Sequence, residues 1–288
     1  MENRSKQLVP LEVLRTRRGV QIAPTAQISP TAEIGEGTVI GDWCIIGDNV
    51  KIGKYNTIHN NVLIGSDTRI GDGCIVWPFV MLGHHSHDLK FSADEKRPVM
   101  IGDDVVIREY TNIHAGTLPD GPGTIIGDRA YILSHSHIGH DCVLGNDCLL
   151  SQATTLGGEV RIGQRAVIGG CTAIHQFCAI GKYAIIGGCS KITMDVIPYA
   201  MSDGNPQSLT GLNLVGLKRG NFSDDEIRAI KEVYKTLFLS DGLWAARVDD
   251  TRRVYGEIPV ARDILGFIES DSRRTIAKPA RRRAEGEI

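Results

Sequence analysis

No stretch of the chain approaches the roughly 18–20 consecutive apolar residues that span a bilayer, and Met1 to Gly19 carry charges without the continuous apolar core of a secretory signal. Both absences lead to the expectation of a cytoplasmic protein with no integral membrane segment. Charge of one sign is also missing. A net charge of -2 gives no global electrostatic reason to bind nucleic acid. The one strongly basic stretch, Arg273, Arg274, Lys278, Arg281, Arg282 and Arg283, reads as a solvated, mobile tail. The seven cysteines form no CxxC pair, and five of them (Cys44, Cys74, Cys142, Cys148 and Cys178) lie two residues before a regularly repeated aliphatic. They read as small buried hydrophobes, not as disulfides or zinc ligands. Histidine is absent outside His59 to His175, and all nine fall within that span. Repetitive packing needs few histidines, so their concentration points to chemistry.

What is present, above all, is a period of six. Ile22 to Leu82 places an aliphatic at every sixth position, and glycine follows many of them, as at Gly35, Gly41, Gly47 and Gly53. The register breaks at a polar, mixed-charge excursion, residues 84–98, and resumes with Ile101, Ile107 and Ile113. After a second excursion rich in Gly and Pro, Thr117 to Gly123, it runs unbroken from Ile126 to Ile192. A helix would repeat at three and four and a half-buried strand at two. A period of six fits a short strand and a corner, with one large aliphatic pointing inward per face. Gly tolerates the dihedrals and the close approach of a corner. The small residue two before each aliphatic points inward too, as strand alternation requires. Stacking such coils predicts a parallel β-helix.

The 288 residues divide accordingly into an extension at 1–19 with a short helix near Leu11 to Leu14, a β-helix over 20–197, and a helical domain with a basic tail over 198–288. Pro198 closes the repeat. Ser223 to Glu226 forms a capping box. Ile227, Ile230, Tyr234, Leu237 and Phe238 then share one helical face, and further helical patches follow at Leu243 to Val248 and Val260 to Ile268. This domain is placed to cover the open end of the solenoid.

The densest chemistry lies in Tyr131 to Asp141, with His135, His137, His140 and Asp141. Around it stand, in order, Asp88-Leu89-Lys90-Phe91, Ile107-Arg108-Glu109, His137-Ile138-Gly139-His140-Asp141-Cys142, Gly169 to Phe177, Gly187-Gly188-Cys189-Ser190 and Gly216-Leu217-Lys218-Arg219. The set resembles the acyl-carrier-protein–UDP-N-acetylglucosamine O-acyltransferases of lipid A synthesis, over about residues 20–240. The left hand of the β-helix is implied by that resemblance, since general sterics favour right-handed crossovers.

The resemblance implies transfer of a 3-hydroxyacyl chain from acyl carrier protein to the sugar 3-hydroxyl, with no cofactor beyond the thioester donor and no metal. It places His140 as general base, suited by an imidazole pKa of about 6.5. It places Asp141 as the supporting carboxylate and Gly158 as the N–H donor to the oxyanion. Asp88, Lys90, His137, His175 and Gln176 match positions that hold the nucleotide sugar, and Asn213 and Arg219 match the nucleotide segment. Gly188 matches the position that limits acyl length. A homotrimer with sites between neighbouring subunits is implied as well. Four departures bear on the acceptor: Glu159 stands for a histidine, which leaves it as a substrate-side residue of altered charge, His87 for a glutamine, Val215 for an acidic residue and Gly220 for an arginine.

Two other enzyme classes share hexapeptide repeats. A γ-type carbonic anhydrase would use the H-x4-H spacing of His135 and His140 for zinc, but the upstream zone that should supply a third ligand holds Asp103, Asp104 and Arg108. A CoA-dependent sugar acetyltransferase is disfavoured by the long helical segment and by Gly216 to Arg219.

Overall fold

The computed structural model describes residues 19–87, 98–118, 120–270 and 272–280. The helix expected near Leu11 to Leu14 lies outside them. Each coil takes three hexapeptides, so residue i pairs in parallel with residue i+18, as in Gln21↔Val39 and His137↔Thr155. The result is a left-handed parallel β-helix of about ten turns. Its three sheets hold 11, 9 and 8 strands. Sheet I starts at Gln21–Ile22, sheet II at Gln27–Ile28 and sheet III at Glu33–Ile34.

The repeated aliphatics stack into one core, with Ile58, Ile64, Ile107, Ile132 and Ile168 each no more than 1% exposed. The small inward position carries hydrogen bonds between coils. Thr38 Oγ1 donates to Gly53 O (2.8 Å), Thr172 Oγ1 to Gly187 O (2.9 Å), and Cys142 Sγ to Gly157 O (3.1 Å). Each thus satisfies a buried carbonyl of the adjacent coil. The cysteines at this position are buried and free, and burial pushes Cys142 and Cys148 up to about 12, so they are inert thiols.

The glycine that follows an aliphatic serves close approach more than unusual dihedrals. A Cβ on Gly163 would lie 2.4 Å from Lys182 N of the next coil. The left-handed conformation falls instead on the fourth residue of each hexapeptide, counted with the aliphatic as the first. That position is mostly not glycine: Trp43, Asn61, His135, Asp141, Glu159 and Phe177 sit there with φ between 57° and 69°. A non-glycine residue there is strained by about 1–3 kcal/mol. An inter-coil hydrogen bond holds it, as in Glu159 N→His140 O (2.8 Å) and Phe177 N→Gly158 O (3.0 Å).

After Pro198, Ala200–Asp203 adds to sheet I in parallel and Ser208–Leu212 turns back antiparallel on it. Four helices follow: α1 (Leu214–Arg219), α2 (Asp224–Leu239), α3 (Trp244–Tyr255) and α4 (Pro259–Glu269). The Ser223/Glu226 capping box is formed, and α2 buries Ile227, Ile230, Val233 and Leu237. The helices are tied to the last coils through Asp263, which accepts from Tyr199 Oη (2.5 Å) and pairs with Lys182 (2.6 Å).

The basic stretch corrects the reading of a solvated tail in part. Residues 272–280 return to the solenoid, with bridges Asp195↔Ile276 and Leu209↔Pro279. Arg281, Arg282 and Arg283 lie outside the described residues.

Because the core is one stack of interdigitated aliphatics, its members should not be separable. Ile132→Ala removes a side chain that is 0% exposed and is expected to cost about 2–5 kcal/mol. Urea denaturation should show a lower midpoint with an unchanged slope.

Candidate active site

Both excursions leave the solenoid at the same corner. The register shifts from 18 to 31 residues between Leu82 and Ile113, and to 25 between Ile113 and Ile138. Both extra segments sit between sheet II and sheet III, on successive coils. The next coil carries His140 and Asp141 at that corner, the one after it Gly158 and Glu159, and the one after that Gln176 and Phe177. The 18-residue register therefore piles residues 140, 158 and 176 into one column and 141, 159 and 177 into the next.

His140 Nδ1 lies 2.8 Å from Asp141 Oδ2, and the two side chains are 18% and 2% exposed. A carboxylate only accepts, so Nδ1 carries a proton, and in the neutral form of the ring Nε2 holds the lone pair. Gly158 lies against that nitrogen, since a Cβ on residue 158 would fall 2.3 Å from His140 Nε2. The imidazole occupies the space a side chain would need, and here the glycine is a requirement of the site.

Asp141 is held from the second excursion. Its Oδ2 accepts from Thr117 N (2.9 Å) and Thr117 Oγ1 (2.9 Å), and its own N–H donates to Thr124 Oγ1 (2.9 Å). Thr117 Oγ1 also lies 3.1 Å from His140 Nδ1. Burial alone would raise the Asp141 carboxyl, but hydrogen bonds from His140, Thr117 and the Leu118 amide outweigh it and hold the pKa below the ordinary carboxylate range. Asp141 is thus a fixed anion behind the His140 ring. The sequence reading missed Thr117 and Thr124. The available signal was that the second excursion begins and ends beside threonines.

Glu159 occupies the left-handed corner position with its side chain 22% exposed, and Arg273 lies 3.7 Å from its carboxylate. Arg274 Nη2 lies 2.5 Å from His175 Nδ1, and its Nε donates to Gln176 O (3.1 Å). Both guanidinium groups lie over the Phe177 ring, at 4.4 and 5.9 Å. The returning segment is therefore part of this corner's charge balance.

His137 faces outward from sheet II beside His114 and His87, with ring centroids 4.9 and 5.5 Å away. Burial, and then the neighbouring His87, hold the His137 pKa down. His135 is on the preceding corner, stacked on Tyr110 (4.9 Å). Within one chain His135 and His140 stand on different corners and do not converge on a shared ion.

The remaining candidates are elsewhere. Asn213 is buried and caps α1, accepting from Gly216 N (2.8 Å) and donating to Tyr183 O (2.7 Å). With Arg219, Arg165, Tyr183, Val215 and Gly220 it lines a separate cavity beside sheet I. Gly188 is on the corner between sheets I and II, where an added Cβ would meet Gly170 O at 3.3 Å. Asp88 and Lys90 lie outside the described residues.

The family model described as Udp N-acetylglucosamine O-acyltransferase, Domain 2, matches residues 195–277, and that of the bacterial transferase hexapeptide (six repeats) matches residues 49–84. An acyl-[acyl-carrier-protein]–UDP-N-acetylglucosamine O-acyltransferase of Thermodesulfovibrio yellowstonii is 43% identical over 225 residues, 78% of this chain and 87% of the relative. One from Sinorhizobium fredii is 37% identical over 205 residues, 71% and 76% of the two chains. The crystal structure of the Moraxella catarrhalis UDP-N-acetylglucosamine O-acyltransferase superposes with a TM-score of 0.85 at 36% identity, covering 89% of this chain and 99% of that one.

The Thr117–Asp141 contact has a consequence in pH. Asp141 titrates lower folded than unfolded, so its stabilisation is complete above its unfolded pKa of about 4 and is lost as pH falls through the depressed folded value. Thr117→Val removes one donor to this carboxylate and should cost about 1.5–3 kcal/mol near pH 7. Chemical denaturation near pH 7 and near pH 3 checks it. The deficit should shrink at the lower pH, and an equal deficit at both would contradict the coupling.

Proposed function

The chain belongs to the acyl-[acyl-carrier-protein]–UDP-N-acetylglucosamine O-acyltransferases, and from that membership we propose that His140 is the base with which it moves a 3-hydroxyacyl chain from acyl carrier protein to the 3-position of the sugar, the first step of lipid A synthesis. The observation that carries this reading is the pairing of His140 with a buried, hydrogen-bonded Asp141 on one side and with side-chain-free Gly158 on the other.

The chemistry follows from that arrangement. Nε2 takes the proton of the sugar hydroxyl while the oxygen attacks the thioester carbonyl. Charge then develops on the carbonyl oxygen, and the Gly158 N–H is the proposed donor to it. Asp141 steadies the imidazolium formed at that moment. Collapse breaks the carbon–sulfur bond, and the imidazolium returns its proton to the departing thiolate of the carrier protein. The acyl group arrives as a thioester, so these steps call on no resident cofactor.

Assembly into a homotrimer is proposed on the division of the site. The catalytic corner lies between sheets II and III, whereas Asn213 and Arg219 line a cavity beside sheet I and Gly188 is on the corner between sheets I and II. One chain does not bring them together, and the sheet I side of a neighbouring subunit set against this corner would. Asn213 enters such a site through its backbone or as the cap that positions α1, because both ends of its side-chain amide are engaged within the subunit. No helix among the described residues is long and apolar enough to cross a membrane. A cytoplasmic location accords with carrier protein and nucleotide sugar as partners.

The departures bear on the acceptor. The proximity of Arg273 to Glu159 at 3.7 Å partly offsets its charge, so its carboxylate is placed either to accept from the sugar or to favour an amino group at the 3-position. An acyl-transfer assay with a panel of carrier-protein thioesters, offering UDP-N-acetylglucosamine and its 3-amino analogue, tests the reading and ranks the acceptors. His140→Ala should lower turnover by about 10²–10⁴ with little change in folding. Gly158→Ala, which drives a methyl into the ring, should lose a comparable share. Near wild-type turnover in His140→Ala would refute the mechanism. Sedimentation at micromolar concentration should show a trimer, and a fully active monomer would refute the shared site.

A further inference from the structure

His87, His114 and His137 come from three separate stretches: the edge of the first excursion, the end of the strand Asn112–His114, and the strand His137–Ile138. The stacking of coils brings one ring nitrogen of each within 4.8 Å of the others. The rings surround a common space. His87 meets His114 edge-on at 4.3 Å and is stacked on His137 at 5.5 Å, and His114 is tilted against His137 at 4.9 Å. Among the described residues this is the one cluster of metal-binding side chains.

The cluster is prepared as a ligand set. His114 is 6% exposed, and its Nδ1 lies 2.6 Å from His85 O. A carbonyl only accepts, so Nδ1 carries the proton and Nε2 keeps its lone pair. A hydrogen bond of this kind fixes the tautomer and orientation of a metal-binding histidine. Burial, with the neighbouring imidazoles, holds His114 down to about 4, and His137 is shifted the same way, so two of the three rings are neutral at ordinary pH. Three imidazoles packed together with no carboxylate among them suit a borderline cation such as zinc and are a poor site for calcium or magnesium.

We propose that His87, His114 and His137 form a site for one divalent transition-metal ion of the zinc class, with a fourth position left for water. Tetrahedral zinc with Zn–N bonds of about 2.0–2.1 Å sets its nitrogens about 3.4 Å apart. Starting within 4.8 Å of one another, the nitrogens need close by no more than about 1.4 Å. The exposed His87 is the ring able to move. The ion is no part of the acyl transfer derived above. It occupies His137, a residue placed against the nucleotide sugar, so ion and sugar exclude one another there. That exclusion rests on the acceptor reading, and the site itself does not.

Zinc titrated into tag-free, chelator-treated full-length protein, followed by calorimetry, tests the site. One equivalent per chain should bind at sub-micromolar Kd. His87→Gln, an exposed change, should weaken it by more than the roughly 10–100-fold typical of losing an outer-shell partner. Cobalt(II) should show the visible absorption of a four-coordinate nitrogen site, and that band should vanish in the variant. Binding below one equivalent, or equal affinity in His87→Gln, would overturn the site. Repeating the titration with saturating UDP-N-acetylglucosamine should weaken zinc binding, and unchanged affinity with the sugar bound overturns the exclusion. Absence of acyl transfer in the metal-free protein counts against the acyltransferase reading, and leaves the zinc isotherm as the judge of the site.

Discussion

The site depends on the register of the coil. Each turn closes in 18 residues, so residues far apart in the chain stand directly over one another. His140 and Gly158 meet because they differ by one turn, and the ring fills the space where a side chain at 158 would project. The hydrogen bonds that fix this register are the backbone ladders of the three sheets. They hold the geometry of this corner together with that of the core. A site built on stacked coils needs no separate scaffold, because the scaffold's repeat distance is its geometry.

The corner chemistry also depends on where the repeat is broken. Both excursions leave between sheets II and III on successive coils, and the second returns Thr117 and Thr124 to Asp141. In most coils the N–H of the left-handed corner residue bonds a carbonyl of the previous turn, as Glu159 does with His140. At Asp141 the Thr124 hydroxyl takes that place, as the Thr25 hydroxyl does for Trp43 within the regular repeat. What the second excursion adds is Thr117, which gives the buried carboxylate two further donors. The returning segment adds to the same corner, where Arg273 and Arg274 meet Glu159, His175 and Phe177.

Much of this was legible in the chain. The six-residue period named the parallel solenoid because neither helix nor simple strand can use it. The capping box at Ser223 named the start of α2. His140, Asp141 and Gly158 were reached through their resemblance to a known family, and the structure puts them in contact. The small inward residue was read as pointing into the core, and only the stacked coils show that Thr38 and Thr172 use that position to satisfy carbonyls. Glycine was credited with unusual dihedrals that fall on Asp141, Glu159 and their equivalents. A period reveals which positions are alike without saying which of them carries the strain.

By itself the sequence determined the architecture, because it is written in local spacing, one aliphatic per six residues; His140 as the proposed base came from the resemblance carried by motifs such as His137 to Cys142. Tertiary structure alone decided what meets across turns and across the whole length of the chain. Thr117 lies 24 residues from Asp141, Arg274 lies 99 from His175, and His87, His114 and His137 belong to three different strands and excursions. Contacts at such separations depend on how many residues each excursion adds to a turn and on which corner it leaves. That is a property of the closed coil and not of any segment within it.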